Sequence, residues 1–323
     1  MTQLLAEARV AMRQAEDAPA TWESFVAPLE DANERVGRAW GQVSHLHAVL
    51  DTPPLREAYN GALPAVTQYW TELGQNLRLF EKYRALRAAT EFAHLTAARQ
   101  KVVENALRDF RLSGAELPAE KKPRFAAIQE ELAKLEAKFS ENVLDATNAW
   151  TITVEDESRL KGIPADVLEP AREAAGKEGK PGWKFTLQAP SYLPVMQYAE
   201  ERALREQMYR ASATRASEFG KPELDNTPLI AKILALREEN ARLLGYASYA
   251  EVSLVPKMAE TPAQVLAFLR DLARRARPFA ERDVAELREF SRAELGLDSL
   301  ESWDLAFASE RLRAKRYAFS DQE

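Results

Sequence analysis

Not one cysteine occurs among the 323 residues. That excludes disulfides, thiolate zinc sites, iron–sulfur clusters and a cysteine nucleophile together, and it fits a reducing compartment. Histidine is almost as scarce, with only His45, His47 and His94 available as imidazole ligands or bases. No apolar run approaches the roughly 18–20 residues that a membrane helix needs. The opening MTQLLAEARVAMRQAEDA lacks the basic start and apolar core of a secretory signal, so the cytoplasm is the expected compartment. A basic excess is also missing, since 44 Lys and Arg face 50 Asp and Glu, for a net charge of −6. Nucleic-acid binding needs a basic stripe, and the densest basic stretch, Arg270–Arg282, interleaves Asp271 and Glu281 and reads as a solvated helix face. Neither a nucleic acid nor a membrane is an expected partner.

With only 12 glycines and abundant Ala, Leu, Glu and Arg, the composition favours helix. Apolar residues recur at steps of three and four nearly throughout. The clearest run spans about 118–150, where Phe125, Ile128, Leu132, Leu135, Phe139 and Val143 define one face and Glu130, Glu131, Lys134, Lys138 and Glu141 the wet one. Thr261-Pro262-Ala263-Gln264 and Thr227-Pro228 each combine a capping hydroxyl with a proline suited to a first helical turn. Gly245 suits the left-handed stop of the second of these helices. Two short segments break the pattern: Trp150–Val154 and Trp183–Leu187 are β-branched or aromatic and nearly alternating, which predicts two pairing strands. Between them lie a helix-like piece and the turn-rich tip GKEGKPG. The expected fold is mainly α, an elongated multi-helix lobe with one small β insert at about 150–154 and 183–188. Its expected parts are a helical 1–149, the insert 150–189 and a helical 190–323.

The search for catalytic groups is mostly negative. A zinc peptidase helix carries H-E-x-x-H, with His at i and i+4 on one metal and Glu activating water, and none of the three histidines begins that motif. His45 and His47 are two apart and point about 200° apart on a helix, too divergent to share an ion. Glu91-Phe92-Ala93-His94 is half of a di-iron pattern whose other half is missing, leaving a helical metal carrier as a minor alternative. There is no G-x-S-x-G elbow and no G-x-G-x-x-G. In GKEGKPG, Lys180 is followed by Pro181 where a phosphate loop needs Ser or Thr. The adjacent pairs Glu238-Glu239 and Glu130-Glu131 give no acid/base dyad. No catalytic or metal-binding residue is assigned in this chain, and substrate-binding residues are unknown.

Nine ordered segments nonetheless resemble one family. They are VSHLHAV (43–49), LREAYNGALP (55–64), NALRDFRLSG (105–114), FSENVLDATNAW (139–150), PSYLPVMQYAE (190–200), LREQMYRASATRAS (204–217), AKILALREENARLLGY (231–246), MAETPAQVLAFLRDLARRARP (258–278) and SWDLAFASERLRAKRYAFSDQE (302–323). Together they resemble the N-terminal portion of the thimet oligopeptidase family of zinc metallopeptidases, its oligopeptidase A subfamily in particular. The resemblance implies a two-lobed, mostly helical enzyme whose channel admits short peptides. Its zinc helix and intermediate-stabilising residues would lie beyond Glu323, so the chain reads as truncated before H-E-x-x-H. On that reading zinc and peptides belong to a full-length parent, this chain binds no zinc, and alone it hydrolyses nothing. The alternative is a truncated, non-enzymatic helical module that binds peptides or proteins. On the main reading, a cut after Glu323 would uncover surface meant for the other lobe, and the apolar residues of 302–319 (Trp303, Leu305, Phe307, Leu312, Tyr317 and Phe319) would form an exposed patch through which copies associate.

Overall fold

A computed structural model describes residues 1–318 of the chain. The first helices are α1 (Thr2–Asp17), α2 (Ala27–Val49), α3 (Pro53–Gly74), α4 (Leu77–Ala88), α5 (Thr90–His94), α6 (Ala97–Leu112) and α7 (Lys122–Ala149). Strand β1 (Thr151–Val154), α8 (Ala165–Lys177) and strand β2 (Trp183–Thr186) follow, then α9 (Ala189–Tyr198) and α10 (Arg202–Ala213). The last are α11 (Thr227–Leu243), α12 (Tyr249–Leu254), α13 (Pro262–Leu295) and α14 (Leu305–Tyr317). Among the described residues the only sheet is β1 paired antiparallel with β2, Thr151 opposite Thr186 and Val154 opposite Trp183. The mainly α class and the position of the β insert are as the sequence predicts.

The chain divides into two compact units, one of residues 1–137 with 231–262 and the other of 138–230 with the described residues from 263 onward. The first has an apolar and aromatic interior. Phe25, Leu29, Leu79, Phe80, Tyr83, Leu86, Val103 and Phe110 pack in one cluster, and Leu5, Ala8, Val36, Val66 and Tyr69 in another. Phe25 meets Tyr83 edge-on at 4.7 Å, the arrangement the ring quadrupoles favour. Within this unit α7 presents buried Phe125, Ile128 and Leu132, while Arg124 forks onto Glu239 and Gln129 donates to Asn240 of α11.

The second unit folds around the hairpin. Val154, Leu160, Ile163, Trp183, Phe185, Val195, Leu204 and Met208 are buried together. Two glycines make the local paths possible. Gly182, at φ +88° before β2, has no room for a side chain: a Cβ would sit 2.3 Å from the Val154 carbonyl oxygen. Gly162, at φ +87°, would meet the Tyr198 carbonyl oxygen at 2.4 Å. Both are positive-φ positions where only glycine avoids a steric penalty.

Three local expectations change. Glu141, expected on the wet face of α7, is buried. Beside it, Asn142 donates to Asn226 at 2.9 Å, and Asn226 donates to the Phe139 carbonyl at 3.0 Å, so the tertiary fold recruits that face as a polar seam. Helix α11 starts at Thr227 rather than after it, and the Thr227 amide N–H bonds to the Asp225 carboxylate at 2.8 Å. The expected apolar patch at 302–319 splits. Phe307 is buried and Trp303 and Leu312 are half-buried, leaving Leu305 and Tyr317 exposed, and Phe319 lies outside the described residues.

Candidate functional site

The histidines are dispersed. His45 is exposed, whereas His47 is buried on α2, stacked on Tyr59 at 4.0 Å with its Nε2 3.3 Å from Asp51. Asp51 is itself held by Arg56 at 2.9 and 3.1 Å, a local lock on the α2–α3 turn. The Glu91-x-x-His94 pair also dissolves: Glu91 accepts the Trp22 amide N–H at 2.9 Å and His94 is exposed. Among the described residues no three His, Asp or Glu side chains converge as metal ligands. The described residues therefore offer no ligand set that fits the zinc the family resemblance implies. In the GKEGKPG tip, Lys180 donates to Glu178 at 2.8 Å, and hydrogen bonds from Lys180 and Lys184 hold the Glu178 carboxyl down at about 2.

Sequence reasoning missed the most organised polar cluster, which lies inside the second unit. Arg205 is fully buried on α10 and donates to Asp304 at 2.8 Å and to the carbonyl oxygens of Ala199 (2.6 Å), Glu200 and Trp303 (both 3.2 Å). Asp304 is wholly buried and also receives Arg202 at 2.7 and 3.1 Å. Burial works to raise the Asp304 pKa, but the hydrogen bonds from Arg202 and Arg205 outweigh it and the net shift is downward. Burial also pulls Arg205 below the ordinary guanidinium value. The only trace in the sequence is that LREQMYRA and SWD each carry family resemblance. Nothing in either predicts that they meet across 99 residues.

Beside this cluster, the Trp303 ring stands edge-on to Tyr209 at 6.0 Å, with the Arg210 guanidinium 4.9 Å above it. The cluster ties α9, α10 and the start of α14 together. Its one carboxylate is shared by two guanidiniums and every group in it is hydrogen-bonded within the fold, which marks it as a positioning element rather than a reacting one.

A cleft of about 270 Å³ opens in the same unit between the end of α7, the end of α10 and the 214–224 loop. Trp150 and Phe219 give it aromatic surface, Arg215 and Lys221 give positive charge, and Thr214 a hydroxyl. Phe219 is 77% exposed, so its ring is open at the edge of the cleft. Arg215 is aimed by bonds from its guanidinium to the Ser212 carbonyl (3.0 Å) and Thr147 hydroxyl (3.2 Å). Ala216 adopts a left-handed φ of +48°, a conformation that costs a non-glycine residue energy and that clusters at ligand sites. Its carbonyl is fixed by the Asn226 amide at 3.0 Å.

A larger, acidic cleft of about 560 Å³ lies in the first unit, walled by Trp70, Tyr83 and Phe110 and edged by Glu30, Glu34 and Asp109. Burial raises the Glu30 carboxyl, partly countered by the Tyr83 hydroxyl, which donates to it at 3.1 Å. The acids at its mouth are already engaged, Glu34 by Arg38 and Asp109 by Arg108. Of the two clefts, the one at 214–224 has the free aromatic surface and unneutralised charge that ligand recognition uses.

Two family models match the chain, "Neurolysin/Thimet oligopeptidase, N-terminal domain" over residues 1–122 and "Peptidase family M3" over 195–323. Together they define its class: the chain belongs to the thimet oligopeptidase family, peptidase family M3. Its likeness within that family is to oligopeptidase A. It is 46% identical to oligopeptidase A of Salmonella typhimurium over 327 aligned residues, covering 100% of this chain and 48% of that protein. Identity to oligopeptidase A of Escherichia coli is 47% over 311 residues, 96% of this chain and 46% of that protein. A probable cytosolic oligopeptidase A of Arabidopsis thaliana is 40% identical over 312 residues, 94% of this chain and 44% of that protein. The chain thus spans about half the length of the curated relatives it matches.

Proposed function

We propose that this chain is the N-terminal, substrate-channel part of a zinc oligopeptidase whose longer form cleaves short peptides in the cytoplasm. One observation carries the reading: similarity to oligopeptidase A runs the length of the chain, yet the sequence contains no H-E-x-x-H and its three histidines are dispersed. The chemistry therefore belongs to the other half of such a peptidase, and no catalytic step is assigned to residues here. What this chain supplies is recognition. The 214–224 cleft suits an extended peptide, with Trp150 and Phe219 as apolar faces and Arg215 and Lys221 as counter-charges for carboxylates.

Catalysis needs interactions made in the transition state, and a binding wall alone provides none of the required bond-making. Incubation with internally quenched oligopeptides and added zinc is expected to give no hydrolysis above a heat-killed control. Weak peptide binding should be detectable by fluorescence polarisation and should fall about tenfold in Arg215→Ala. Zinc-dependent turnover would overturn the assignment of chemistry elsewhere. A peptide affinity indifferent to Arg215→Ala would overturn the cleft's role.

A further inference from the structure

Helix α13 is 34 residues long, yet Leu287 and Ser291 are its only buried side chains. Over its first six turns Leu266, Phe268, Leu269, Leu272 and Phe279 are 49–67% exposed. They fall with Val265, Ala276 and Ala280 on one face, at steps of three and four, interrupted only by Asp283. The same face turns inward farther along the helix, where Leu287 is buried. One continuous apolar stripe is therefore packed at one end and bare at the other.

Charge does not explain the bare end. Asp271 pairs with Arg275 at 2.7 Å, and Arg277 with Glu281 at 2.7 Å, one pair along each border of the stripe. These ion pairs close within the helix, and the surface between them is apolar. Exposed apolar surface of this extent marks an interface, and one dominated by Leu and Phe has the character of a permanent seam, like a core cut in half. Two further facts point to the occupant. The stripe lies inside the stretch matched by the peptidase M3 model, residues 195–323. Residues 1–122 match an N-terminal domain, so the half of the relatives' length that this chain does not span is C-terminal.

We infer that the 265–284 face of α13 is the seam on which the C-terminal half of the peptidase packs. The inference rests on the proposed function and adds the surface that joins the two halves. It moves the joining surface away from the 302–319 segment, whose Phe307 is already buried.

The absence of cysteine makes the test direct, because Leu272→Cys would be the only thiol in this chain. Residues 1–323 are joined to the C-terminal remainder of Escherichia coli oligopeptidase A, and alkylation at position 272 is followed by mass spectrometry in the fusion and in the chain alone. The chain alone should react as an exposed thiol at every protein concentration, and the fusion should react about tenfold more slowly or less. Leu77→Cys, equally exposed at the start of α4, should stay reactive in both. As a second measure, Phe268→Asp with Leu272→Asp should lower the fusion's Tm by about 5 °C or more and leave the isolated chain within about 1 °C.

Equal reactivity in the two proteins would overturn the seam. So would concentration-dependent protection in the chain alone, which would make a second copy the occupant. A fusion recovered only as aggregate, beside a soluble intact Escherichia coli enzyme, would count against it equally. Hydrolysis of peptide by a fusion whose position 272 stays reactive would sink the seam and leave the proposed function standing. Protection without hydrolysis would do the reverse.

Discussion

The two units build helical cores in opposite ways. The first is held mainly by apolar and aromatic contact, with Phe25, Phe80, Tyr83 and Phe110 interlocked. The second places a charged pair, Arg205 and Asp304, at its centre beside a two-stranded hairpin. An apolar core gains stability from area removed from water and tolerates changes of identity that keep volume. A buried ion pair gains little net stability, but it tolerates no loss of either partner and fixes which elements meet. The first arrangement is thus robust to chemistry and sensitive to volume, and the second adds to its own apolar cluster a sensitivity to chemistry.

The largest expected effect tests volume in the first unit. Phe80 is fully buried, and Phe80→Ala should cost about 3–5 kcal/mol through lost transfer energy and the cavity left behind. Because no titrating group is involved, the loss measured by chemical denaturation should be the same at pH 7 and pH 4. A loss that varied with pH would break the contrast.

Comparable or slightly smaller is the effect of removing a charge in the second unit. Asp304→Asn leaves Arg205 buried without its counter-charge, at about 3 kcal/mol near neutral pH. The folded-state pKa of Asp304 is depressed. Its contribution is therefore fully present above the unfolded value, about 3.9, and disappears as pH falls through the lower folded value. The difference between wild type and Asp304→Asn should hold from pH 7 to about pH 4 and shrink below that. Replacing both partners, Arg205→Met with Asp304→Leu, should restore most of the loss. A double variant as unstable as the single one would show that Arg205's carbonyl contacts, not the ion pair, matter most.

The smallest effect sharpens the contrast at the cleft. Ala216→Gly relieves a left-handed φ and should stabilise the second unit by no more than about 1 kcal/mol. If the strained turn aims Arg215 and Phe219, the same change should weaken peptide binding while Tm holds or rises. Parallel changes in both would show that the turn serves only the fold.

Much of the secondary structure is legible in the sequence because it is local. The β insert follows from β-branched alternation, the stop at Gly245 from its need for positive φ, and the start of α13 from Thr261-Pro262. Glu141 shows where that logic ends. Its place on the polar face of α7 is read correctly from spacing, but whether that face meets water depends on which segment is folded over it. The site was less legible than the fold. Arg205 and Asp304 are 99 residues apart, and neither is distinguishable in sequence from dozens of solvated neighbours.

The sequence by itself determined the helical class, the hairpin, the family and the absence of a zinc-binding motif, because each depends on residue identity at short spacing. Tertiary structure alone decided which charges are buried, which loop opens a cleft and which apolar stripe is left bare. Burial is a property of what packs against a side chain. Leu272 and Leu287 belong to one stripe on one helix, yet one is exposed and the other enclosed because only the second has a neighbour over it.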